Sequence, residues 1–449
     1  MEKTKLYELL NEQQEMFDKE EDLIEREISI EPYLRGNEIV IITGIRRCGK
    51  STLLKIISKK INKKNIYVNF DDVRFTDFKL ENFQDIEAFA KETHGVSTEI
   101  VFFLDEIQNA PSWERWVNNL FSKNIKVFVT GSNSSLLSSE ISTFLTGRNK
   151  VIKLYPFSFK EFLKFKKIPE TPKTSNERIT LMDAFEEYFE IGGFPLVIKN
   201  KDLELSKQYF EDILNKDIIR RYNIKKIKEL NDLILYLFSN VGKIYSYSTL
   251  KMISGIKSLS MIKNYIEYMK GVFLASTINR FDYSLKKQKV SSSKFYVLDN
   301  CFLKTVAFNF IENRGQRLEN LVFIELSKSS FEVYYHLDKN ECDFIIKKGL
   351  KITAAVQVCL NLENMLTKKR EIAGLLEAMQ KYNLKEGLIL TLDKESEEKI
   401  NNKKIIIKPV WKWLLERSIK NAAWEKRNQD WNEQRCPYNA KNQAKKGNI

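Results

Sequence analysis

The chain has 449 residues, 43% of them apolar and 12% aromatic, which is too long for one compact core and too apolar for wholesale disorder. Five scattered cysteines (Cys48, Cys301, Cys342, Cys359 and Cys436) and two histidines, His94 and His336, argue against a disulfide framework, a zinc site and imidazole-based metal chemistry. The net charge is +14, and no apolar run approaches the ~18 residues of a membrane-spanning helix, so two or three cytoplasmic domains without a membrane segment are expected.

The N-terminus lacks the apolar stretch of a cleaved secretory signal. Residues 8–31 are acidic and read as a leading helix that packs on the adjoining domain. Ile39-Val40-Ile41-Ile42 is a β-branched run readable as a buried parallel strand. It leads straight into Gly44-Ile45-Arg46-Arg47-Cys48-Gly49-Lys50-Ser51, a GxxxxGKS sequence. From Thr52 to Ile61 apolar residues recur at helical spacing, so the loop opens a helix whose N-terminal amides face an anion. Gly44 and Gly49 permit a wrapped backbone, Lys50 neutralises β/γ-phosphate charge and the Ser51 hydroxyl ligates magnesium. Ile45, Arg46, Arg47, Cys48 and Thr52 complete the expected ATP-binding stretch.

A second apolar strand, Ile100 to Leu104, ends in Asp105-Glu106. Asp105 is the expected magnesium carboxylate and Glu106 the group that polarises the attacking water, which is a hydrolase arrangement. A third strand, Ile125 to Val129, runs into Thr130-Gly131-Ser132-Asn133, where Thr130, Ser132 and Asn133 are candidates for sensing the γ-phosphate, although such clusters are also ordinary turn chemistry. Arg148 precedes another strand-like run and is a candidate arginine finger, within the chain or on a neighbouring subunit, with a structural ion pair as the competing role.

These motifs together resemble a family of prokaryotic AAA-type ATP-binding proteins with a C-terminal domain of unknown function. The likeness rests on Gly44 to Ser51, Phe103-Leu104-Asp105-Glu106-Ile107-Gln108, Thr130 to Leu137, Gly147-Arg148 with Leu154-Tyr155-Pro156-Phe157-Ser158-Phe159, and Gly192-Gly193-Phe194-Pro195. It reaches to about residue 415. It implies an α/β fold: an AAA-type P-loop NTPase domain with a parallel sheet, then a helical lid, a winged helix and a C-terminal α/β domain similar to restriction endonucleases. The expected boundaries are an N-terminal helix at 1–30, the ATPase core at 31–165, the lid at 166–225, the winged-helix-like module at 226–310, the nuclease-like domain at 311–417 and a polar, basic, disordered tail at 418–449.

Residues 201–310 carry 19 basic against 10 acidic side chains, whereas residues 1–200 carry 29 against 31. Such a concentration suits duplex DNA phosphates, and equally a lysine-rich solvated surface. Within it, helical patterns at Leu230–Phe238, Tyr247–Ile253 and Ser258–Met269 precede strands at Phe273–Ile278 and Lys294–Leu298, which is a winged-helix order. Lys257 and Lys263, with Lys286, Lys287 and Lys289 on the wing, are the candidate phosphate contacts.

Farther on, a helix from Gly315 to Ser327 carries Glu319 and Glu325, and strands come next at Phe331–His336, Cys342–Ile346 and Ala354–Cys359. Glu325 and Asp343 fit a nuclease metal site, but Gln357 and Cys359 stand where a carboxylate and a lysine are needed, and Lys368 or Lys369 would substitute only with unusual geometry. A fold retained for binding is therefore expected. The sequence reading is an ATP- and magnesium-dependent ATPase switch associated with DNA; the alternatives are an ATP-regulated metal-dependent nuclease and an ATPase that contacts only a protein partner or further copies of itself.

Overall fold

The computed structural model describes residues 1–20, 22–95, 99–132, 147–306 and 313–416; the tail expected at 418–449 lies outside them. Its first sheet contains β1 (Ile39–Thr43), β2 (Lys64–Asn69), β3 (Ile100–Asp105), β4 (Lys126–Gly131) and β5 (Asn149–Lys153). The order is β2-β3-β4-β1-β5 and every pairing is parallel. Alternate residues of each strand enter different apolar clusters. Val40, Ile42, Phe103 and Phe128 join one, while Ile39, Ile41, Phe102 and Val127 join the other. Both faces are therefore covered, which is why these strands read as continuous apolar runs rather than alternating ones.

Helices α1 (Lys3–Asp18), α2 (Lys50–Ile61), α3 (Asn82–His94) and α4 (Trp113–Ser122) accompany this sheet. The helix expected over residues 8–31 begins earlier and stops at Asp18. Asp18, Lys19 and Glu20 offer no apolar side chain to continue its buried face. Residues 22–28 are not helical, and a single helical turn at Glu31–Leu34 precedes β1.

Five further helical segments come next: α5 (Phe159–Lys166), α6 (Ser175–Ile191), α7 (Pro195–Asn200), α8 (Leu203–Asp212) and a π-helix at Ile213–Arg220. Capping boxes at Ser158/Glu161 and Thr174/Glu177 fix where α5 and α6 start. The Gly192-Gly193 pair ends α6 with Gly192 at φ +76°, and a Cβ there would lie 1.8 Å from Asp299 Oδ1. Gly193 N donates to Asp299 Oδ2 at 2.9 Å, so only glycines let these helices dock on the segment after the next sheet.

That next unit comprises α9 (Ile227–Ser239), β6 (Ile244–Tyr245), α10 (Tyr247–Ser254), α11 (Leu259–Gly271), β7 (Ala275–Asn279), α12 (Leu285–Val290) and β8 (Ser293–Val297). Its strands form an antiparallel sheet in the order β6-β8-β7. The strand expected from Phe273 starts at Ala275, because Phe273 adopts φ +57°. Lys286, Lys287 and Lys289 lie on α12, a short helix between β7 and β8.

The C-terminal part contains α13 (Asn300–Val306), α14 (Arg314–Ser327), β9 (Glu332–Leu337), β10 (Glu341–Lys348), β11 (Lys351–Val358), α15 (Met365–Lys381), β12 (Glu386–Thr391), β13 (Ser396–Ile400), β14 (Lys403–Pro409) and α16 (Val410–Glu416). Its mixed sheet runs β13-β14-β12-β11-β10-β9. Strands β9 to β11 form an antiparallel meander, and α15 crosses over to the parallel pair β11 and β12. The chain is thus a P-loop NTPase α/β domain with an additional mixed-sheet domain. One apolar cluster links β1 and β3 to Leu318 and Leu321 of α14 and to Phe344 of β10. No helix among the described residues is long and apolar enough to cross a membrane.

Candidate active site

In the parallel sheet, Thr43 of β1 pairs with Gly131 of β4, and Asn69 of β2 pairs with Asp105 of β3. These carboxyl ends form the edge where ligands of open α/β sheets bind. The glycine-rich loop leaves β1 there. A Cβ on Gly44 would lie 2.1 Å from Leu154 O, and Gly49 takes φ +100° to turn the chain into α2. Arg47 also sits at φ +70°, a left-handed conformation that costs a side-chain-bearing residue on the order of 1 kcal/mol. The N-terminal amides of α2 then face the space above the loop, where an anion is favoured.

The functional side chains converge on that space. Lys50 is buried, donates to Gly44 O and Ile45 O at 3.3 Å each, and places its ammonium 3.5 Å from Glu106 Oε1. Asp105 is buried and accepts hydrogen bonds from the hydroxyls of Thr130, Ser51 and, at 2.9 Å, Tyr67. Thr130 Oγ1 also accepts from Glu106 N at 3.0 Å, and Gln108 Nε2 donates to Glu106 Oε2. Burial pushes the Asp105 carboxyl above its ordinary value, more than the Ser51 and Thr130 hydroxyls pull it down. Burial would raise Glu106 too, but the Lys50 charge, the Gln108 bond and the Arg46 charge outweigh it, so this carboxyl titrates below its usual range and is ionised at neutral pH. A buried carboxylate beside the Ser51 hydroxyl is a hard-oxygen donor set that fits a magnesium ion, whose charge would relieve the burial of Asp105.

Lys50, Ser51, Asp105 and Glu106 line a cavity of about 470 Å³. Leu23, Ile24, Ile56, Phe157, Phe165 and Leu196 add apolar wall, and Asp22, Asn69, Asp71 and Lys199 add polar wall. A mixed lining of this kind suits a ligand with a flat apolar base and a charged tail. Residues 22–26 are strapped over the loop by Arg26. Its guanidinium forks onto Glu161 at 2.8 and 3.1 Å and donates to Tyr155 O and to Cys48 O within the loop. Sequence reading missed Arg26, Glu161, Tyr67 and Gln108; for Gln108 alone a local signal existed, two residues after Glu106.

Other candidates lie differently. Ser132 is buried one residue beyond β4, and Asn133 lies outside the described residues. Arg148 does not join the site. It immediately precedes β5, whose first residue Asn149 pairs with Ile39, the first of β1, so it stands at the amino edge while the loop leaves the carboxyl edge. At ~3.3 Å per residue the strand separates them by roughly 15 Å. Arg148 bonds Asn118 Oδ1 at 2.6 Å and covers the Phe121 ring, so a role within this chain's own site is ruled out by strand direction.

The C-terminal carboxylates also need a correction. Glu325 pairs with Lys328 at 3.1 Å and does not meet Asp343. Glu319 does, because six residues along a helix turn the side chain by about 240° onto another face. Both carboxylates surround Lys294 Nζ from β8, each at 3.0 Å, with Glu341 at 2.6 Å and Tyr296 donating to Glu319 at 2.6 Å. A register shift in β10 between Cys342 and Ile345 brackets Asp343. Burial opposes the Lys294 charge, yet three carboxylates hold it well above its ordinary pKa, while burial and the Asp343 charge push Glu319 up to about 8. The cation of this cluster is therefore an internal ammonium. Lys368 pairs instead with Glu398, and Cys359 with Asn361 O. Elsewhere His336, Asp338 and Glu377 bring three ligand atoms together, but Asp338 is taken by Arg280 and Lys381, and Glu377 by backbone amides of Lys339 and Asn340.

Comparison with known proteins places residues 36–163 in a family model described as an AAA domain (AAA_14), and residues 182–311 in a domain of unknown function (DUF8612). The uncharacterized protein MJ1544 of Methanocaldococcus jannaschii is 35% identical over 421 residues, covering 88% of this chain and 92% of the relative. An uncharacterized protein of Haemophilus influenzae is 34% identical over 331 residues, covering 70% and 80%. Among solved structures, the Thermotoga maritima RuvB Holliday junction branch migration motor is similar at 15% identity, covering 56% of this chain and 86% of that one, with a TM-score of 0.27.

Proposed function

Because the chain belongs to the same P-loop AAA family as these archaeal and bacterial relatives, we propose that it binds ATP and hydrolyses it to ADP and phosphate, driving a switch in a DNA-associated protein. One observation carries this reading: an ionised Glu106 and a buried Lys50 face one another beside Asp105 on the rim of a cavity that opens at a helix N-terminus.

The loop amides and the Lys50 ammonium bind the β- and γ-phosphates. Ser51 and Asp105 would hold magnesium, which supplies further neutralisation of phosphate charge when bound. Glu106 takes the proton of the attacking water as its oxygen bonds to the γ-phosphorus, and the bond to the β-γ bridging oxygen breaks. Gln108 holds Glu106 in place, and the apolar walls around Leu23 and Phe157 exclude water around the base.

The α9–β8 unit is read as a winged helix, with Lys257, Lys263, Lys286, Lys287 and Lys289 exposed for contact with duplex phosphates. The C-terminal sheet is read as nuclease-like scaffold used for binding. Lys294 occupies the centre of its carboxylates, which disfavours a metal-dependent nuclease. Binding of a fluorescent ATP analogue by the wild type and Lys50→Ala tests the nucleotide reading. A loss of affinity of at least about tenfold in the variant is expected, and equal binding would sink the assignment.

A further inference from the structure

The two arginines inside the phosphate loop are not spectators. Arg46 and Arg47 both line the cavity, and Arg46 is near enough to Glu106 to lower its pKa. In the structure the Arg46 guanidinium is gripped from the lid side. Its Nε and Nη2 donate to Asp217 Oδ2 and Oδ1 at 2.9 and 3.1 Å, a two-bond fork with the geometry that guanidinium offers equally to carboxylate and phosphate. Arg47 covers the Tyr209 ring of α8.

Asp217 lies within the π-helix Ile213–Arg220. Runs of i→i+5 bonding are rare and cluster at functional sites. Two residues past its end, Tyr222 stacks on Tyr268 of α11, with ring centres 3.7 Å apart and planes within 7°. A continuous path therefore runs from the phosphate loop, through one ion pair and one π-helix, to the helix that carries Lys263.

We propose that Arg46 is the residue that recognises the γ-phosphate, that Asp217 is its alternative partner, and that the exchange between them drives the π-helix. This rests on the ATPase reading above and adds its trigger. One guanidinium cannot fork onto both groups. A γ-phosphate brings charge that ADP lacks, so ATP competes with Asp217 for Arg46 better than ADP does. Asp217 is only 9% exposed, and a buried carboxylate stripped of its cation is costly. The π-helix must then shift to bring Asp217 to water or to another cation, and Tyr222 carries the shift to Tyr268. Arg46 acts on the phosphate; Asp217 is a positioning residue.

Affinities for ATPγS and ADP, with backbone hydrogen exchange over residues 213–225, test this in the full chain. The wild type is expected to prefer ATPγS and to exchange faster with it than with ADP. Asp217→Asn, which keeps the shape but weakens the fork, is expected to raise the preference about fivefold with ADP affinity unchanged. Arg46→Ala is expected to abolish it and to lower turnover roughly a hundredfold; Arg46→Lys, which keeps the charge, should lose it in part. A preference retained in Arg46→Ala and Arg46→Lys would overturn the inference alone, as would an Asp217→Asn that changes both affinities equally. A wild type that binds neither nucleotide would overturn the ATPase reading, and this trigger with it.

Discussion

Gln108 holds one oxygen of Glu106 while Lys50 stands 3.5 Å from the other. The carboxylate is thus fixed from both sides, and Gln108 Oε1 is buried with no hydrogen-bond partner among the described residues. Gln108→Ala should cut kcat by about tenfold or more with ATP affinity little changed, because orientation of the base is lost and the phosphate contacts are kept. Gln108 is one of the groups that lower the Glu106 pKa, so its loss raises that pKa and moves the acid limb of the pH–rate profile to higher pH. A rate profile with an unmoved limb would deny Gln108 this role.

Arg26 and Glu161 are both nearly fully buried, with side-chain exposures of 6% and 4%. Arg26→Ala would leave Glu161 charged in a dry place and release the Cys48 carbonyl. Chemical denaturation should show a loss of about 3–5 kcal/mol, partly recovered in Arg26→Ala with Glu161→Gln. The single variant should also bind nucleotide more weakly, since Asp22, Leu23, Ile24 and Arg26 line the cavity.

Glu319 meets Lys294 and Tyr296 on β8, feels the Asp343 charge on β10, and shares the Lys294 ammonium with Asp343 and Glu341. Its folded pKa of about 8 lies above the ordinary carboxylate value, so between those two values the folded chain holds a proton that the unfolded chain has released. Stability from this group is therefore lost as pH rises toward 8, at a slope of at most about 1.4 kcal/mol per pH unit. Glu319→Gln should remove that slope relative to the wild type between pH 5 and 8 in denaturation curves. Parallel curves for the two proteins would show that Glu319 is ionised in the cluster.

If the α9–β8 unit meets duplex DNA, affinity must fall steeply with salt. Each of Lys257, Lys263, Lys286, Lys287 and Lys289 that touches a phosphate should contribute about 0.9 to the slope of log affinity against log salt. Replacing all five with alanine and titrating a random duplex measures this directly. An unchanged slope would move the partner surface elsewhere.

The candidate site was legible because the residues that meet there are set by local patterns: an apolar strand runs into Gly44 to Ser51, and another into Asp105-Glu106. The third strand at residues 125–129 likewise appears as β4 between β1 and β3. What the sequence concealed are pairs that no local pattern records. Arg46 meets Asp217 across 171 residues, Arg26 meets Glu161 across 135, and Lys294 meets Asp343 across 49. Two departures had readable causes. Arg148 precedes a parallel strand, which puts it at the amino edge and away from its own chain's site, leaving the neighbouring-subunit role untouched, and helical phase separates Glu325 from Glu319. The early stop of α1 at Asp18 reflects the gap in apolar positions between Phe17 and Leu23, a signal masked by the acidic run that spans it.

Steady-state ATP hydrolysis in magnesium by the wild type, Lys50→Ala and Glu106→Gln, each with and without duplex DNA, tests the central claim most directly. The wild type should turn over, faster with duplex, and each variant should lose at least about a hundredfold in rate, with Glu106→Gln still binding ATP because its phosphate contacts remain. Hydrolysis surviving in Lys50→Ala, or a wild type that binds ATP yet never turns it over with or without DNA, would contradict the account.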